Sequence, residues 1–192
     1  MKQILVIIFF LSIALISCNK NEKKKLTSDL LNLCFKTDTY WVYIDSVSNV
    51  VDSVYVVNYD HYFREEYVTD YTSYDIERFD FKTNSSTSKS IYFSIAPGGF
   101  VKYSQKYLTI IYVDKDQEFI REGYLYTRFD SVFVYDRYYK GISKVEVAHD
   151  ESENDNKSIY YTNSEYGILR QDIYSDSTLI SSKVLMRKNI IR

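Results

Sequence analysis

The chain has 192 residues and a net charge of −2, from 24 basic and 26 acidic side chains. That balance holds no basic surplus for a phosphate backbone, so nucleic acid is not an expected partner. There are 21 Tyr, 11 Phe and one Trp against one Pro and five Gly. An AT-rich genome favours Tyr together with Asn, Lys, Ile and Ser, and it accounts for this bias at least as well as an aromatic surface for glycans or lipids would. Tyr also suits sheets, packing its ring and leaving its hydroxyl in water.

Met1-Lys2-Gln3 opens with a positive charge, and residues 4–16 are apolar apart from Ser12. This run has the length of a secretory h-region and falls short of the roughly 20 apolar residues that span a bilayer. It closes on Leu15-Ile16-Ser17-Cys18, which resembles the bacterial lipobox: an aliphatic residue, two permissive positions with the last one small, then Cys. The resemblance implies a diacylglyceryl group on the Cys18 thiol, cleavage just before it, and acylation of the new amine. Two or more acyl chains hold a protein stably where one does not, at about 0.8 kcal/mol per buried CH₂. The alternatives are an ordinary secretory signal with a chance Cys, or an uncleaved anchor.

Residues 1–17 are therefore expected to be a lipoprotein signal peptide. Residues 18–34 would be the lipidated Cys and a tether with a short helix, and 35–192 a single all-β domain. Asn19 to Lys25 is polar and lysine-rich, a solvated tether. Residue 19 is Asn and not the Asp that keeps many such lipoproteins at the inner membrane. The outer membrane, with the domain facing the periplasm, is the default location; the cell surface is the alternative. Cys34 would then be left without a partner, in the apolar setting Leu33-Cys34-Phe35, as a buried and inert thiol.

From Thr27 the pattern Thr-Ser-Asp-Leu-Leu-Asn-Leu predicts one helical turn capped by Ser28 or Thr27. No later stretch sustains a helical period, and the rest reads as strands separated by polar turns. Strands are expected at Thr39–Ile44, Ser53–Tyr59, Tyr62–Val68 and Tyr74–Phe81, with Thr83–Lys89 as a loop. Ile91–Ile95 and Phe100–Tyr103 flank Ala96-Pro97-Gly98-Gly99, a hairpin turn. Tyr107–Val113 is expected to turn back through Asp114-Lys115-Asp116 into Glu118–Thr127. Ser131–Tyr135 and Ile142–Val147 pair across Asp136–Gly141, Asp150–Lys157 is a charged loop, and Ser158–Thr162, Gly167–Tyr174 and Leu179–Arg187 complete the set. Ten to twelve short strands without crossover helices predict an all-β fold: an antiparallel meander forming a strongly curved sheet, open barrel or sandwich.

Phe35, Tyr40-Trp41-Val42-Tyr43 and Asp52-Ser53-Val54-Tyr55-Val56 together are similar to the opening of many uncharacterised Bacteroidetes-type bacterial lipoproteins. Ile159-Tyr160-Tyr161 followed by Tyr166-Gly167-Ile168-Leu169-Arg170 resembles their penultimate hairpin. Thr37-Asp38-Thr39 stands where a Gly is usual in that family, and the final strand lacks its common Trp. These motifs cover about a fifth of the mature chain. They imply a fold and carry no activity.

Motifs for chemistry are sparse. His61 and His149 lack a second His or Cys at ligand spacing and read as surface or turn residues. No phosphate loop, nucleophile elbow or His-Glu-x-x-His occurs. Asp150, Ser152 and Asn154 have the first three spacings of a calcium loop, but Asp155 stands where Gly belongs and Tyr161 where Glu belongs. Asp114, Asp116 and Glu118 repeat the spacing and read as a turn. No cofactor or metal is expected.

The first expectation is a membrane-anchored, non-enzymatic binding or interaction domain, tethered through Cys18, with an envelope protein, glycan or hydrophobic ligand as partner. The alternative is a carrier or sensor of a lipid or other hydrophobic ligand in an open barrel. A glycan or peptide hydrolase ranks last. Among exposed aromatics, Tyr62, Phe63, Tyr138 and Tyr139 are the candidate binding residues.

Overall fold

Alternation of Tyr, Val, Ile and Phe with polar residues favours extended backbone with two distinct faces. The computed structural model describes residues 22–69, 72–87, 90–97, 99–103, 108–113, 124–148 and 156–192, and most of these lie in strands. The helical turn, α1 (Ser28–Leu31), is capped by Thr27, whose hydroxyl accepts from the Leu30 amide at 3.4 Å.

The first half of the chain contributes β1 (Glu22–Lys24), β2 (Tyr40–Asp45), β3 (Val51–Thr69), β4 (Thr72–Ser85), β5 (Ile91–Ala96), β6 (Gly99–Tyr103) and β7 (Leu108–Val113). The second contributes β8 (Tyr124–Val134), β9 (Arg137–Ala148), β10 (Lys157–Asn163), β11 (Gly167–Ser175) and β12 (Thr178–Asn189). All belong to one sheet, ordered β7-β6-β5-β4-β3-β2-β12-β11-β10-β9-β8, with β1 added on β4. The all-β curved sheet expected from the pattern is thus present. Two antiparallel meanders, β2–β7 and β8–β12, are spliced where the last strand pairs with β2.

Three details differ from the sequence reading. The sheet is mixed, because β1 runs parallel to β4 through Glu22–Tyr74, Lys23–Asp75 and Lys24–Ile76. It covers the stretch of β4 that β5 leaves open, since β5 pairs only with Thr83 to Phe79. Next, β7 and β8 are not paired among the described residues, and the expected turn and strand start over 114–123 lie outside them. The two-residue turn Tyr135-Asp136 closes β8 onto β9 along nearly its whole length, and a short closure costs less chain entropy than a long one. Finally, β3 is one strand through Asp60 and His61, where a break was expected. It stays extended because β4 pairs with it from Val54–Ser85 to Thr69–Thr72. Polar pairs support its outer part: Tyr62 donates to Asp80 at 2.6 Å, and Arg78 bridges Glu66.

The sheet rolls until β7 lies alongside β9 and β10, yet no ladder joins them, so the barrel is not closed. The concave face must be filled from inside. The segment before β2 does this: Leu26, Leu30, Leu33 and Phe35 are all buried in a single core shared with β2 to β5 and β8 to β12. Phe35 meets Trp41 and Phe81 edge-on, with ring centroids 4.9 and 5.8 Å apart. Phe81 stacks on Phe93 at 4.9 Å. Gly167 sits directly over Phe35. Its φ is +78°, and a Cβ there would lie 3.1 Å from Phe35 Cε2. The position therefore demands Gly for both backbone and space.

Substituting Gly167→Ala combines a left-handed backbone with overpacking on Phe35. The variant should lose about 2–4 kcal/mol, read as a lowered urea midpoint at unchanged m-value.

Candidate functional site

Directly paired residues of antiparallel strands share a face. Phe81 pairs with Phe93, and Phe93 with Lys102, so Lys102 on β6 stands on the same face as two core rings. On the other meander Tyr160 pairs with Gln171, and Gln171 with Lys183. Tyr160 is buried. Two lysines and a glutamine thus stand at positions where the alternation would ordinarily bury apolar side chains.

These residues border a partly open interior cavity. Water-sized spheres can place their centres in about 70 Å³ of it, against the roughly 10–15 Å³ that one water needs on that measure. There is room for several waters or for the body of a small organic molecule. Phe35, Trp41, Val54, Phe81, Ile91 and Phe93 give an apolar wall; Asp52, Thr83, Lys102, Gln171 and Lys183 interrupt it.

The polar groups are organised in two sets. Asp52 lies 2.7 Å from Lys183 Nζ and also accepts from Ser85 and Ser86 hydroxyls at 2.6 and 3.1 Å. Burial works against its charge, but the hydrogen bonds from Lys183, Ser85 and Thr87 outweigh it and hold the carboxyl down at about 2. The same carboxylate, together with burial, pushes the Tyr43 phenol far above its ordinary range; its hydroxyl donates to the Ile168 carbonyl at 2.9 Å. In the second set, Lys102 Nζ donates to Tyr160 Oη at 3.4 Å and lies 5.4 Å from that ring's centroid. Gln171 Nε2 donates to the same hydroxyl at 3.2 Å. Among the described residues, Lys102 has no carboxylate partner, while Lys183 is matched by Asp52.

The residues singled out from sequence do not converge on this cavity. Cys18, His149, the calcium-like spacing over 150–155 and the acidic turn at 114–118 lie outside the described residues. His61 is in β3 and not in a turn, with Nε2 2.8 Å from Glu77 Oε1. Glu77 also accepts from the Leu26 amide at 2.9 Å, which fastens the entering segment. Among the described residues no three His, Cys, Asp or Glu side chains are grouped to hold a metal. Cys34 is buried, as expected, and burial, with a smaller contribution from Glu77, pushes its thiol up to about 12.

The aromatic candidates divide. Phe63 and Tyr138 are exposed, Tyr138 at 73%. Tyr62 is half-buried and bound to Asp80. Tyr139 is only 7% exposed and belongs to the core, against expectation. Successive strand residues point to opposite faces, so Tyr138 and Tyr139 cannot share a surface. Tyr138 instead meets Phe133 edge-on at 5.1 Å, on a face where Leu125 and Phe129 are also exposed.

Comparison with protein-family models and with curated proteins finds no match for the chain.

Asp52 is the charge that most directly couples the cavity to pH. Its folded pKa, about 2, lies below the ordinary 3.8. Its contribution is therefore complete above pH 5 and is lost as pH falls towards 2. Asp52→Asn should be less stable than the parent by about 2 kcal/mol at pH 7, a gap that closes near pH 2 in paired urea titrations.

Proposed function

We propose that the protein is a lipid-anchored, non-enzymatic binding domain of the bacterial cell envelope that holds a small hydrophobic ligand inside its rolled sheet. The observation that carries this reading is the cavity: an aromatic and aliphatic wall, partly open, inside the rolled sheet. Small-ligand sites have this composition, mostly apolar with a few converging polar groups. A protein that needed the interior only for stability would gain by filling it with apolar volume, because each unfilled space forfeits contacts.

The anchor rests on the lipobox resemblance and Cys18. Four residue steps lead from Cys18 to Glu22, where β1 starts. At full extension they span at most about 14 Å. An acylated Cys18 would hold β1, and the β3–β4 arm it pairs with, close to the membrane surface, at the outer membrane on the periplasmic side.

A second reading is favoured by the exposed row Leu125, Phe129 and Phe133 on β8, which pairs only with β9 among the described residues. Such an edge, apolar and unpaired, suits contact with an envelope protein.

Metabolic labelling with a palmitate analogue tests the anchor: label should enter the parent and be absent from Cys18→Ser. Native mass spectrometry of the protein released from membranes, followed by solvent extraction, tests the site. A stoichiometric apolar adduct is expected. An unliganded mass that does not shift with envelope lipid extract would rule out the cavity as a ligand site and leave the β8 edge as the leading candidate.

A further inference from the structure

We infer that the cavity selects an amphipathic anion, a molecule with an apolar ring or short chain and one carboxylate head, with Lys102 as the residue that receives the head. This rests on the cavity being a ligand site and adds the chemical class of the ligand.

The argument begins with position. The row Phe81–Phe93–Lys102 crosses three adjacent strands on the interior face. An apolar residue at 102 would continue the stack of Phe81 on Phe93, and a lysine facing inward is costly unless its charge is met. The cavity's other cation, Lys183, already has Asp52 at 2.7 Å. Lys102 has instead a phenol hydroxyl at 3.4 Å and the face of the Tyr160 ring. Among the described residues, the ionised groups lining the cavity therefore leave one positive charge over.

The neighbours of Lys102 sharpen the chemistry. Tyr160 Oη accepts from both Lys102 and Gln171, and no described residue accepts its own proton. A hydroxyl that accepts twice still has a hydrogen to give. Lys102 and Gln171 thus present an ammonium and a carboxamide to the cavity, beside an apolar wall of Phe81, Phe93 and Trp41, with the Tyr160 hydroxyl next to both. A carboxylate accepts at two oxygens and suits this set. A cationic head would meet Lys102 with like charge. A neutral hydroxyl would leave that charge unmatched.

Trp41 is the chain's single Trp and lines the cavity, so its fluorescence reports occupancy without interference. The full chain in phosphatidylcholine vesicles would be titrated with 3-phenylpropanoate, 3-phenylpropan-1-ol and 3-phenylpropylamine, which share a body and differ in the head. Binding of the acid at least about tenfold tighter than the alcohol, with the amine weakest, is expected. Lys102→Met should bring acid and alcohol level, while Lys102→Arg keeps most of the preference. Acid and alcohol binding alike to the parent would overturn the anion assignment and leave the cavity as an apolar site. A silent Trp41 with all three compounds, in protein that also carries no apolar adduct, would overturn the ligand site itself. If Lys102→Met fails to fold, the parent's ranking of the three heads still decides the matter.

Discussion

The Phe35 ring beneath the Gly167 backbone is the contact on which the rest of the architecture depends. A sheet of this length, rolled but not closed, has a concave face that no second layer covers, and apolar rows on that face are unstable in water. Phe35 closes the gap from inside. It touches β2 through Trp41, β4 through Phe81 and β11 through Gly167, so one side chain joins both meanders. The splice between β12 and β2 holds the same two halves through backbone. The segment leading into Phe35 is secured by hydrogen bonds at both ends: Leu26 to Glu77 at 2.9 Å, and Lys36 to the Ile191 carbonyl at 3.0 Å. Nearly the last residue of the chain thus fastens one of the first described.

That arrangement fills one part of the interior and leaves another polar and partly empty. Asp52 and Lys183 satisfy each other with help from Ser85 and Ser86, as buried charges must. The second polar set does not close on itself in this way, because its members are all donors around one phenol oxygen. Stability and binding therefore make different demands on neighbouring strands. The Asp52 pair spans β3 and β12 and is internally satisfied. The Lys102 set spans β6, β10 and β11, near the seam where the rolled sheet stays open.

Much of the fold was legible because strands announce themselves locally. A helix cap at Ser28 or Thr27, the hairpin around Pro97, the buried Cys34 and the last three strands follow from residue type and alternation. What depended on register was not legible. Asp60-His61 reads as a break until the pairing with β4 carries the strand through it. Phe100-Val101-Lys102-Tyr103 alternates without saying which face is inward; only pairing with Phe93 decides it. Asp52 and Lys183 are far apart in sequence and carry no motif. The error over Tyr139 is different in kind, since two adjacent strand residues cannot both lie on one face, and that was available from the start.

The entering segment is also where the proposed anchor and the cavity meet. The order along the chain is Cys18, β1, the Leu26–Glu77 bond, α1, then Phe35 in the cavity wall, with few residues between successive points. With an acyl anchor on Cys18 the tether would be short, because Glu22 already pairs with Tyr74 on β4. Displacement of β1 from β4 would act on Leu26 next, and Leu26 shares its core with Phe35. The wall of the cavity is therefore contiguous with the strand nearest the proposed acylation site. A ligand packed against Phe35 would stabilise the same segment that β1 and Glu77 hold, by mass action on the folded arrangement alone.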